Sequence, residues 1–135
     1  MKIDVSNCDI INSKSITIHD CILADFRFDR NGKHLHLELS REEGEQKVKR
    51  VYVDFFGVIG FEMTSCDYWG SSPYILDFES IEKGCMNIIP KLFDRKNQND
   101  WPECSLSDQN DYFETVITFV SGDRLSVACK EIAMG

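Results

Sequence analysis

The chain lacks any apolar run approaching the roughly 20 residues that cross a bilayer as a helix. Its first residues, Met1-Lys2-Ile3-Asp4-Val5, carry an early acid and no long apolar stretch, so they do not read as a signal peptide. Cys-x-x-Cys pairs are also missing. The six cysteines, Cys8, Cys21, Cys66, Cys85, Cys104 and Cys129, are widely and irregularly spaced. Zinc sites of the usual kind draw two ligands from one tight turn, and this spacing offers none. Buried free thiols are expected instead, which places the chain in a reducing compartment, the cytoplasm. There is no Gly-x-Gly-x-x-Gly, no phosphate loop, no Gly-x-Ser-x-Gly and no His-Glu-x-x-His, so the commonest nucleotide, acyl-transfer and metalloprotease signatures are absent. No cofactor is expected.

The 135 residues suit one globular domain, 1–135, without repeats or an interdomain linker. A chain of this length can bury about 68% of its unfolded surface, enough for a core without covalent staples. Asn31-Gly32 marks a hairpin from Cys21 to Arg41, because Asn-Gly readily takes the positive φ angles of a tight turn. A turn centred there sets Phe28 opposite Leu35, Phe26 opposite Leu37 and Ala24 opposite Leu39, all on one face. The other face collects Asp29 with His34, Arg27 with His36 and Asp25 with Glu38.

Further strands are predicted at Val48 to Phe56, within Val58 to Thr64, and at Tyr74 to Glu79, with Tyr74 in the core. A second hairpin, Tyr112 to Val120 and Arg124 to Ile132, closes through Ser121-Gly122-Asp123, with Phe119 facing Leu125 and Ile117 facing Val127. Ile81, Cys85, Ile88, Ile89, Leu92 and Phe93 have helical spacing, interrupted by Gly84 and Pro90, so one or two short helical pieces are expected. Asp94 to Asp111 reads as a long polar loop. The expected fold is mainly β (α+β): a curled antiparallel sheet, half-barrel or sandwich, with one or two short helices.

The net charge of −8 is unevenly placed. Val51 to Glu82 holds six acids and Asn97 to Asp123 six more, and neither segment has a Lys or Arg. An acidic face of this kind raises encounter rates with a basic protein and repels nucleic acid and anionic membrane. Both tryptophans, Trp69 and Trp101, lie in these segments with Tyr68, Tyr74 and Tyr112. Aromatic anchors within a charged rim are a common design of protein interfaces. The candidate partner-binding residues are therefore Glu62, Asp67, Tyr68, Trp69, Asp100, Trp101, Glu103, Asp108 and Asp111.

Catalytic constellations are thin, and neither a catalytic nor a metal site is the leading expectation. His19-Asp20 opens the first hairpin strand, where either side chain can simply bond backbone. His34-x-His36 puts two imidazoles on one strand face; with Asp29 or Glu38 they could chelate a metal, although cross-strand pairing with Asp29 and Arg27 is the plainer role. Cys21 or Cys66 near His19 lacks an orienting third group for a thiolate nucleophile.

The stretch Ile18-His19-Asp20-Cys21-Ile22 followed by an amphipathic Asn-Gly hairpin, an apolar strand ending Phe55-Phe56-Gly57-Val58, and the strand Tyr74-Ile75-Leu76 resembles small bacterial β-rich immunity proteins. These act in polymorphic-toxin or contact-dependent inhibition systems. The similarity spans Ile16 to Glu79. It implies a cytoplasmic inhibitor of a cognate toxin, often a basic nuclease, and not an enzyme. Two other readings stand beside it. One is a metal-dependent hydrolase using His19, Asp20, His34 and His36; the other is a structural protein that forms a homodimer through a strand edge.

Overall fold

A computed structural model describes residues 2–64, 74–98 and 106–135. The chain is mostly antiparallel sheet with two short helices, as the alternating patterns predict. Lys2–Asp4 forms β1, Ile22–Asp29 β2, His34–Glu42 β3, Val48–Phe56 β4 and Gly60–Met63 β5. Ile75–Ser80 forms β6, Phe113–Phe119 β7, Arg124–Cys129 β8 and Glu131–Met134 β9. The helices are α1 (Ile11–Ile18) and α2 (Ile88–Gln98). One sheet has the order β1-β9-β4-β3-β2, the other β5-β8-β7-β6.

The two sheets trap the core between them. Leu35, Leu37 and Leu39 of β3 and Val51, Val53 and Phe55 of β4 point inward from the five-stranded sheet. Phe78, Phe113, Ile117, Phe119, Leu125 and Val127 meet them from the four-stranded sheet. In β3 and β4 period-two alternation does the sorting, whereas β7 is buried on both faces along most of its length. α1 lies along β6 and adds Ile11 and Ile18 to this core. α2 covers one part of the outer face of the four-stranded sheet, where Ile88, Ile89 and Phe93 pack with Tyr112 and Ala128. A Cβ at Gly60 would come within 2.9 Å of Ile88, so β5 is bare there to admit the helix.

At one corner the strands change sheets. β4 runs past Gly57 into β5, and β8 runs past Lys130 into β9. Lys130 N donates to Phe56 O at 3.0 Å, and Ile59 N donates to Ala128 O at 3.0 Å. Gly57 takes φ +63° with the Lys130 side chain 3.0 Å from where a Cβ would sit. At the opposite corner, Ile75 N donates to Cys21 O at 2.8 Å and Asp20 N to Ile75 O at 2.9 Å, stitching β6 to the start of β2. The predicted single strand from Arg124 to Ile132 is therefore two strands with a break at Lys130.

The first hairpin keeps most of its expected register: Phe28 opposes Leu35, Phe26 opposes Leu37, and Asp29 opposes His34. Ala24 does not face Leu39. A bulge at Ala24 hands that place to Leu23, which lies against the core while Ala24 is exposed. The turn also differs. The positive φ is at Lys33 (50°), not at Asn31 or Gly32, and Asn31 N donates to Asp29 Oδ1 at 3.0 Å. A Cβ on Gly32 would meet Asp29 Oδ2 at 2.7 Å, so that glycine supplies space rather than a left-handed backbone.

The second hairpin is shifted by two residues from the expected pairing: Ile117 faces Leu125 and Thr115 faces Val127. The turn is displaced by one residue, closed by Phe119 N to Asp123 O and Gly122 N to Phe119 O, both 2.9 Å, while the other edge of β7 pairs with β6, Phe119 opposite Ile75. Tyr74 is half-exposed rather than core, since it stands at the bridge to Ile22. Pro90 does not interrupt α2; it falls in the first turn, where a missing N–H costs nothing. His19 and Asp20 lie in the turn after α1, ahead of β2, and do not open a strand.

Candidate functional site

The most concentrated chemistry among the described residues lies on the outer face of the five-stranded sheet. Alternation that buries Leu35 and Leu37 turns His34 and His36 outward; that which buries Val53 and Phe55 turns Tyr52, Asp54 and Phe56 outward. The β3–β4 register places His34 opposite Phe56, His36 opposite Asp54 and Glu38 opposite Tyr52. Asp54 Oδ1 then lies 2.7 Å from His34 Nε2 and 2.6 Å from His36 Nδ1.

The rings are held from both ends. His34 stacks on Phe56 with centroids 4.8 Å apart and planes 6° from parallel, and His36 stacks on Tyr52 at 5.7 Å and 21°. The histidine side chains remain about a third exposed and Asp54 about a quarter. One carboxylate oxygen thus serves two imidazoles. Each neutral ring can give it one N–H, or a cation can take the place of those protons.

The third group is Asp54, not Asp29 or Glu38. Asp29 is engaged in the hairpin turn, and Glu38 faces Arg50 at 3.4 Å. Sequence reasoning missed Asp54 because its position depends on the β3–β4 register, which the loop between them sets. The available signal was the outward row Tyr52-x-Asp54-x-Phe56.

The four groups of the hydrolase reading do not form one centre. His19 Nδ1 and Asp20 Oδ2 are 3.2 Å apart on an exposed turn, and Arg41 Nη1 donates to His19 O at 2.9 Å. Arg41 is five residues along β3 from His36, roughly 17 Å at strand rise. Cys21 is buried beside this turn, and burial pushes its thiol up, away from the thiolate form. The Cys129 thiol is pushed up by burial in the same way. Among the described cysteines, Cys8, Cys21, Cys85 and Cys129 are free thiols.

Of the nine predicted contact residues, Asp67, Tyr68, Trp69, Asp100, Trp101 and Glu103 lie outside the described residues. Glu62 is exposed on β5, 3.4 Å from Asn87 Nδ2 and 4.0 Å from Lys91 Nζ. Asp108 accepts from Asn110 N at 2.8 Å and starts the short helical turn Gln109–Asp111, whose Asp111 is exposed. Other acids of the two segments take different places. Asp54 belongs to the five-stranded sheet. Glu114 is 2% exposed and accepts from Asn87 N at 3.0 Å and Ile89 N at 2.6 Å, capping the start of α2. Glu62 and Glu79 share one row across the four-stranded sheet, through Ser126 and Val116, and Asp77 stands next to Glu79 on the same face.

No family model and no curated protein matches the chain. Among solved structures it is similar to an uncharacterized protein from Neisseria gonorrhoeae, with a TM-score of 0.50 and 15% identity over 99% of this chain and 96% of that one. The likeness is one of fold. No helix among the described residues is long and apolar enough to cross a membrane.

Proposed function

We propose that this chain is an immunity-type inhibitor: a cytoplasmic binding protein that docks on a cognate, basic toxin domain and blocks access to the toxin's anionic substrate. The supporting observation is the outer face of the four-stranded sheet, where Glu62, Asp77 and Glu79, all from one acid-only stretch of sequence, point outward together. Arg124, Lys91 and Arg95 are among the cations near them. Glu62 and Glu79 are three strand spacings apart, roughly 14 Å. Asp67, Tyr68, Trp69, Asp100, Trp101, Glu103, Asp108 and Asp111 complete the proposed contact, with the two tryptophans as anchors.

The test pairs the purified chain with the toxin domain encoded beside its gene. A tight complex should form, and raising the salt should slow association steeply. The triple reversal Glu79→Lys, Asp100→Lys, Glu103→Lys should slow association about tenfold or more while leaving the far-ultraviolet spectrum unchanged. No complex, or an association rate indifferent to both salt and charge reversal, sinks the reading.

A further inference from the structure

We propose that His34, His36 and Asp54 bind one divalent transition-metal ion on the outer face of the five-stranded sheet. The three donors already converge: one ligand atom from each of His34, His36 and Asp54 lies within 4.8 Å of the other two. Zinc-class ions hold imidazole nitrogen and carboxylate oxygen at about 2.0–2.2 Å. Ligand atoms in a tetrahedral shell of that size stand about 3.4 Å apart, so the 2.7 and 2.6 Å separations have to open by about 0.7 Å to admit the ion, a shift within reach of side-chain rotation.

Rigid supports surround the cluster. Both histidines sit on β3 and the aspartate on β4, two central strands of their sheet, and strands fix ligand positions better than loops. Phe56 and Tyr52 hold the ring planes by stacking, which removes rotamer freedom before the ion arrives. Beside Asp54 on β9 stands Ala133, whose small side chain leaves the outward side open. Two imidazoles with one carboxylate favour zinc, copper, nickel or cobalt over magnesium or calcium, which prefer all-oxygen shells. The partial exposure of all three groups leaves the ion's remaining positions to water. On binding, the proton each neutral ring gives to Asp54 moves to that ring's other nitrogen, so charge and protons balance with no further reactant.

This site is on the opposite sheet from the acidic face and does not depend on the docking reading. Tag-free protein, stripped with chelator and then dialysed free of it, should be titrated with zinc alone by calorimetry and with cobalt alone by visible absorption. One ion per chain is expected, with a rise in melting temperature as the ion is added. His36→Gln and Asp54→Asn should each weaken binding about 100-fold or more. His19→Gln, whose ring belongs to the separate exposed turn, should bind as the parent does. Circular dichroism and melting of each apo variant show that it is folded. The proposal is overturned if the parent takes up no ion, if folded Asp54→Asn and His36→Gln bind as well as the parent, or if His19→Gln abolishes binding.

Discussion

Thr115 and Glu114 are neighbours on β7, and alternation sends them to opposite sides of the sheet with opposite outcomes for polar burial. Glu114 faces α2, where its two oxygens take up two backbone N–H groups that a helix start leaves without partners. Thr115 faces the core and is 1% exposed, and its Oγ1 has no hydrogen-bond partner among the described residues. A buried hydroxyl without a partner keeps its desolvation cost, whereas the isosteric valine does not carry one. Thr115→Val is therefore expected to raise the unfolding free energy by about 1 kcal/mol, read from the urea midpoint at constant slope. A lower midpoint would show that the hydroxyl is satisfied. The helical spacing from Ile81 to Phe93 showed that a helix was coming; that a carboxylate 25 residues away from Ile89 would cap it was not legible, because the pairing crosses the fold.

At the scale of elements, the corner at Gly57 and Lys130 decides how the sheets join. Gly57 combines a left-handed backbone with close packing on Lys130. Gly57→Ala is expected to lower stability by about 1–3 kcal/mol, measured by chemical unfolding. An unchanged midpoint would mean that the corner relaxes freely. The contrast between hairpins shows what a sequence can reveal. In β2–β3 a slip of one residue would turn Leu35, Leu37 and Leu39 to solvent, so the register was readable even though the turn geometry was not. In β7–β8 the expected and observed pairings differ by two, which leaves every residue on its own face, so alternation alone does not choose between them. α1 left little trace. Its sequence INSKSITI is rich in β-branched and serine residues with low helix propensity, and packing of Ile11 and Ile18 holds it. Asp54 was hidden for a related reason: only the β3–β4 register brings it to the histidines.

For the molecule as a whole, charge and chemistry are divided between the two sheets. The acid-only segments do not pool all their carboxylates: Asp54 joins the histidines on one outer face, Glu114 is internal, and Glu62, Asp77 and Glu79 look out from the other sheet. Two proposed surfaces separated by a packed core should behave independently. Asp54→Asn is expected to leave toxin association within about twofold of the parent, and charge reversal at Glu79, Asp100 and Glu103 to leave metal affinity likewise unchanged; cross-effects beyond that would mean one shared surface.

β9 lies between β1 and β4, paired with each. Residues 2–4 are thus attached to the five-stranded sheet through residues 131–134. Cutting those last residues away would release the opening strand with them, leave β4 as a raw edge, and strip the backing from the strand that presents Asp54. The fate of the opening tripeptide is in this way tied to a tetrapeptide synthesised more than 120 residues later.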